Sequence, residues 1–180
     1  MICSRSMTTE TIFATLDEAH WQPACAGVPT ARLRQAARAI VRSPMGVALL
    51  YSRRDRYHKL PGGGIEAGEL PLQALLREAR EEIGARLTDV QPLGVLMEHR
   101  RTDGLTQISH CYSALAAALE PPVLTDSEAA AGFVTVWLPL PQALARLRAD
   151  GEADMFRRFI RQRELAILQH YQNALCEAQR

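Results

Sequence analysis

Between Leu60 and Gly84 the chain sets a glycine-rich turn, LPGGGIEAGE, just ahead of an acidic segment, REAREEIG, with seven residues separating Glu69 from Arg77. Pro71 suits the first position of a helix, because its missing N–H would be unpaired there, and Gly84 suits the left-handed residue that ends one. Leu72, Leu75, Leu76, Ala79 and Ile83 recur at helical spacing between them, so a helix is predicted over Pro71–Ile83. A turn that rich in glycine, leading directly into a bounded helix, fixes how backbone and side chains meet at the junction.

On that helix Glu78, Glu81 and Glu82 lie one turn apart on a common face. Like charges at these spacings repel by roughly 0.2–0.5 kcal/mol per pair. Their position in the last two turns before Gly84 also sets them against the helix dipole. Arg77 and Arg80 relieve part of this, Arg77 through an i,i+4 pair with Glu81. A solvated face of mixed charge is the plain reading. The alternative is a single site in which the turn brings Glu69 and backbone carbonyls to the helix glutamates. Oxygen donors with open positions suit Mg²⁺ or Mn²⁺ bound to a substrate phosphate, and such an ion clamps a diphosphate and activates water.

The rest of the chain frames this junction. RLRQAARAIVRS (Arg32 to Ser43) ends in an apolar run read as a strand, and GVALLYSRR (Gly46 to Arg54) is a second. YHKLPGGG gives a short third strand stopped by Pro61, which cannot donate to a ladder. VQPLGVLMEHRR and TQISHCYSALAAAL are expected as strands joined around Thr102–Gly104, and GFVTVWLPL as another. PQALARLRA begins a helix, and a long amphipathic helix runs from Asp154 to about Ala178, with Phe156, Phe159, Ile160, Leu165, Ile167 and Leu168 among its apolar members. TTETIFATLDEAHW (Thr8 to Trp21) is expected as a short helix. Strands around one central helix, followed by helices, favour α+β or a mixed-sheet sandwich. The expected division is an N-terminal extension over 1–30, a main domain over 31–150 and a C-terminal helix over 151–180 that packs on the domain or forms a homodimer contact.

Composition narrows the partners. With 180 residues, 47% apolar, 23% charged and a net charge of +1, the chain suits one soluble domain and lacks the basicity that would argue for nucleic acid or a membrane surface. The cysteines Cys3, Cys25, Cys111 and Cys176 are far apart, so free thiols are expected rather than a zinc site. MICSRSMTTETIF has no long apolar region of a signal peptide and no stretch approaches a membrane span, so a cytoplasmic location is expected.

Gly63, Glu69, Arg77-Glu78-Ala79, Glu81-Glu82 and Gly84-Ala85 together resemble the Nudix box, G-x5-E-x7-R-E-U-x-E-E-x-G-U, where U is bulky and aliphatic. Every fixed position is met at the right spacing, and the two U positions hold the smaller Ala79 and Ala85. KLPGGGIEAGE is also the family's usual lead-in. The resemblance implies the Nudix fold, an α/β/α sandwich around a mixed sheet, here with an extra C-terminal helix. It implies hydrolysis of a nucleoside diphosphate linked to another moiety, with Mg²⁺ or Mn²⁺, by water attack on phosphorus. Carried over, Glu78, Glu81 and Glu82 would hold metal, Gly63 (or Gly62) would lend a carbonyl, and Arg77 would orient Glu69.

Weaker candidates lie outside the box. Glu128 sits where many members carry an extra acid, although a helix-starting or exposed loop acid is the plainer reading. Glu98 and His99 could line the pocket or form a surface pair. Arg53, Arg54, Arg56 and Lys59 could hold substrate phosphates, and Tyr57 and Trp137 could stack a base, with Trp137 more at home in a core. The motifs of NADH, coenzyme A, ADP-ribose and dinucleoside polyphosphate subfamilies are not found, so a nucleoside triphosphate, oxidised or not, leads as substrate. ADP-ribose or nucleotide-sugar cleavage is the alternative, and a non-catalytic nucleotide sensor is the alternative of another class.

Overall fold

In a computed structural model, residues 11–178 are described. One mixed eight-stranded sheet organises them. Its strands are β1 (Ile12–Asp17), β2 (Arg32–Ser43), β3 (Gly46–Ser52), β4 (Tyr57–Lys59), β5 (Gly62–Gly64), β6 (Ala85–Arg100), β7 (Leu105–Leu119) and β8 (Phe133–Leu138). The helices are α1 (Pro71–Ile83), α2 (Asp126–Ala131), α3 (Leu140–Ala149) and α4 (Met155–Ala178). The order β1-β6-β7-β2-β3-β4 runs across the sheet, with β5 paired to β2 and β8 to β3. The pairs β1·β6 and β2·β7 are parallel and the others antiparallel.

Strand alternation explains why both faces are covered. In β2, Ala37, Ala39 and Val41 join a cluster with Leu75, Ala79 and Ile83 of α1, while Ile40 joins the opposite cluster with Leu144 and Leu147 of α3 and Leu168 of α4. β3 splits the same way, with Ala48 and Leu50 toward α1 and Val47 and Leu49 toward α3 and α4. A strand buried on both faces is apolar at successive positions, as AIV and VALL are. The result is the expected α/β/α layering, and α4 packs on its own sheet through Phe159, Ile160, Ile167 and Leu168. Burying side chains of the size of Leu75 or Ile83 contributes roughly 1.5–3 kcal/mol each.

The small residues at the bulky positions of the box are fully accommodated. Ala79 and Ala85 are buried in an alanine-rich cluster whose volume comes from Leu50, Leu75, Ile83 and Tyr112, with Trp137 half-buried at its margin. α1 therefore lies close to the sheet.

One element differs from expectation. Ile12–Asp17 is not a helix but the edge strand β1, parallel to β6 from Val95 to His99, and two short 3₁₀ turns follow it. Ile12, Phe13 and Thr15 are β-favouring residues, and the neighbouring strand decides the outcome. Asp17 holds Arg101 through two hydrogen bonds of 2.6 Å, and the buried Glu18 accepts from the Thr102 amide at 2.9 Å and from its hydroxyl at 2.5 Å. The part of the expected helix before Thr11, and Cys3, lie outside the described residues. Cys25 and Cys111 are buried free thiols and Cys176 is exposed. No helix among the described residues is long and apolar enough to cross a membrane.

Candidate active site

The sheet brings β5 against the acidic face of α1. β5 pairs with β2 through Ala36–Gly64, Ala37–Gly63 and Arg38–Gly62. A Cβ at Gly62, where φ is +132°, would collide with the Ala37 carbonyl of β2, so glycine is required there, and a Cβ at Gly63 would displace the Glu78 carboxylate. At the far end of α1, Gly84 takes φ +63° and its amide donates to Arg80 O at 3.1 Å, closing the helix where the sequence indicated. At the near end Gln73 Oε1 accepts from the Leu70 amide at 2.8 Å.

Carboxylate oxygens of Glu78, Glu82 and Glu128 lie within 4.8 Å of one another. Glu82 is 2% exposed; it accepts from Lys59 Nζ at 2.5 Å and from the Gly62 amide at 2.7 Å. Burial pushes its pKa up to about 7, against the pull of Lys59 and the Gly62 amide, with Glu78 adding repulsion. Glu128 arrives from α2, where it closes a capping box: its Oε2 accepts from the Thr125 amide at 2.9 Å and from the Thr125 hydroxyl at 2.7 Å. Burial raises its pKa, but the Thr125 bonds, Lys59 and a hydrogen bond from Glu82 outweigh this, and the net shift is downward. Glu128 thus starts a helix, and its carboxylate also lies beside those of Glu78 and Glu82.

Arg77 ties the turn to the helix. Its Nε and Nη2 donate to the two Glu69 oxygens at 3.0 Å each, Nη2 also reaches Gly64 O at 3.0 Å, and Nη1 reaches Glu78 at 2.8 Å. This bidentate grip, chiefly, depresses the Glu69 pKa. Glu81 accepts from Arg77 Nη1 at 3.3 Å and lines an outer groove with Leu76, Arg80, Arg86 and Val123, beyond the three-carboxylate group.

The weaker candidates separate. Lys59 enters the site, whereas Arg54 pairs with the adjacent Asp55 on a groove at the other end of β4 and is well exposed. Glu98 is not half of a surface pair: it is fully buried, where Arg100 donates at 2.8 Å, Gln107 at 2.5 Å and Arg163 at 3.3 Å. Burial raises its pKa, but Arg163 and Arg100 pull harder, and it is held low. His99 bonds Thr106. Tyr57 lines a cavity beside Gly62 and Gly63 together with Arg34, Arg38, Arg100 and Arg163. Sequence reasoning did not single out Arg34, Arg38 or Arg163. The available signal was Arg38, a lone charge inside the apolar run AARAIV.

The NUDIX domain model matches residues 32–159, covering both the turn and the acidic helix. The chain belongs to the Nudix family. Among solved structures, a Nudix hydrolase from Nitrosomonas europaea superposes with a TM-score of 0.62 at 18% identity, over 79% of this chain and 90% of that one. A MutT Nudix hydrolase from Burkholderia pseudomallei superposes with a TM-score of 0.52 at 19% identity, over 73% and 97%. At such identities the likeness is one of fold. An RNA pyrophosphohydrolase from Halorhodospira halophila is 48% identical over 48 residues, 26% of each chain. The chain thus matches only about a quarter of the length of such curated relatives.

Proposed function

We propose that this Nudix protein is a diphosphohydrolase that cleaves the diphosphate linkage of a nucleoside diphosphate derivative, with a nucleoside triphosphate, oxidised or not, as the leading substrate. The observation that carries the reading is the convergence of Glu78, Glu82 and Glu128 within 4.8 Å, beside a glycine strand with no side chains to fill the approach. Three carboxylates and a nearby carbonyl form an all-oxygen donor set that fits a hard divalent ion, Mg²⁺ or Mn²⁺. When bound, such an ion would neutralise diphosphate charge and lower the pKa of water.

The chain's own residues divide the remaining work. Glu78 and Glu82 hold the cation with Glu128, and Gly63 is the residue that would lend it a backbone carbonyl. One of the site carboxylates takes the proton of the attacking water. Arg77 and Glu69 position the turn, and Glu81 sits at the rim. Lys59, beside Glu82, offers a cation to the substrate phosphates. The reaction takes place on a small molecule in the cytoplasm.

A second substrate reading rests on the local match to RNA pyrophosphohydrolases, which would make the substrate the 5′-triphosphate end of an RNA. A screen of nucleoside triphosphates, ADP-ribose, nucleotide sugars and a 5′-triphosphorylated oligonucleotide with Mg²⁺ and Mn²⁺, scored by phosphate release after phosphatase coupling, tests both. Turnover of mononucleotides supports the first reading and turnover of the oligonucleotide alone supports the second. Thermal stabilisation by nucleotides without turnover would make the chain a sensor instead.

A further inference from the structure

Next to the three carboxylates, sharing Lys59, Gly62 and Gly63 with their surroundings, is a cavity of about 150 Å³. Four arginines line it: Arg34 and Arg38 from β2, Arg100 from the end of β6 and Arg163 from α4. Two carboxylates answer them. Arg163 donates to Glu164 at 2.6 Å and to Glu98 at 3.3 Å, and Arg100 donates to Glu98 at 2.8 Å. Lys59 is already paired with Glu82.

Two guanidiniums are therefore in excess. Arg38 is only 5% exposed; its Nη1 donates to Gly62 O at 3.2 Å and its Nε is buried without a partner. Arg34 has one neutral contact, Nη1 to Gln107 Oε1 at 3.3 Å. Neither makes an ion pair among the described residues. Arg100 Nε is buried and unpartnered as well. Desolvation, with repulsion from Arg163, lowers the pKa of both Arg34 and Arg38. Arg38 is the buried one, and a buried guanidinium without an anion beside a cavity calls for an anion inside it, while the exposed Arg34 adds a second unpaired charge to the same lining.

We propose that this cavity is a subsite for one further phosphoryl group of the substrate, beyond the diphosphate that is clamped and cut. The excess of two positive charges suits a dianionic phosphoryl better than a carboxylate, and planar forked donors suit its oxygens. Pockets for whole small-molecule ligands run to roughly 300–1,000 Å³, so this one takes a group rather than a nucleoside. The substrate class is then a nucleoside diphosphate derivative carrying at least one more phosphate, as a triphosphate does and a nucleotide sugar does not. This rests on the diphosphate-cleaving reading of the adjoining carboxylates.

Inorganic phosphate is titrated calorimetrically into the chain in EDTA, so that no divalent ion contributes. The wild type and Glu78→Gln bind it alike. Arg34→Gln binds it at least ~10-fold more weakly, as expected for losing a charged hydrogen bond, and Arg34→Lys recovers part of the affinity. Arg34 is exposed, so its variants are suited to folding, which a thermal melt verifies. In turnover, Arg34→Gln lowers the preference in kcat/KM for a nucleoside triphosphate over a nucleotide sugar by ~10-fold. Equal phosphate affinity in wild type and Arg34→Gln, or no phosphate binding at all, would overturn the subsite while leaving hydrolysis untouched. Phosphate binding by a chain that hydrolyses none of the diphosphates would instead overturn the reading of the carboxylates and keep the anion site.

Discussion

Lys59 Nζ lies 2.5 Å from Glu82 Oε1, while the Gly62 amide holds the other oxygen at 2.7 Å. One short segment, from the end of β4 through β5, thus supplies both a cation and a backbone donor to a buried helix carboxylate. Removing Lys59 as methionine leaves Glu82 and Glu78 less compensated. Tighter Mn²⁺ binding by the free protein, together with a higher KM for the nucleotide, is the expected result, measured by calorimetry and initial rates.

Gly63→Ala tests the close approach of strand to helix. The added Cβ collides with the Glu78 carboxylate, so either that side chain or β5 must move. kcat should fall by at least ~10-fold as the Glu78 carboxylate is displaced while stability changes little, read by turnover and denaturant melts. A variant as active as the wild type would mean that Glu78 need not hold its position.

The protonation of Glu82 gives a pH dependence of definite sign. Its folded pKa of about 7 lies above its ordinary 4.5. Between those values the folded protein keeps a proton that the unfolded chain has released. In EDTA, stability should therefore decline as pH rises from about 4.5 to about 7, and Glu82→Gln should remove that slope. Divalent ions need the ionised carboxylate, so Mn²⁺ affinity should climb as pH passes through about 7.

Asp17→Asn probes the N-terminal strand. Asp17 is held at a pKa of about 2, chiefly by its hydrogen bonds from Arg101. That low value means its contribution is present above its ordinary 3.8 and is lost as pH falls toward 2. The substitution should cost about 1 kcal/mol at neutral pH and raise amide exchange in β1.

The junction was legible because it is local: Pro71 and Gly84 mark the ends of α1 chemically, and the box residues recur at helical spacing in one short segment. β1 was misread as a helix because the pairing that decides it, with β6, lies some eighty residues away, and the β-favouring Ile12, Phe13 and Thr15 alone do not settle so short a segment. The arginine cavity was invisible for the same reason. Arg34 and Arg38, Arg100, and Arg163 come from two strands and the last helix, and only the sheet together with the packing of α4 on it brings them together. Glu98 looked like a surface acid at a strand end, but it is fully buried between neighbouring strands and is reached by Arg163 of α4. Glu128 showed its capping role in TDSE, but its distance to Glu78 and Glu82 depends on how α2 docks.

The central claim is that Glu78, Glu82 and Glu128 hold the ion that cleavage of a diphosphate requires. Its most direct test is the rate of nucleoside triphosphate hydrolysis against Mn²⁺ concentration for wild type and Glu82→Gln, both verified as folded. Saturable activation by the ion in the wild type and a loss of ~10²–10⁴-fold in kcat for the variant are predicted. Full activity in Glu82→Gln, or hydrolysis that persists in EDTA, would contradict it.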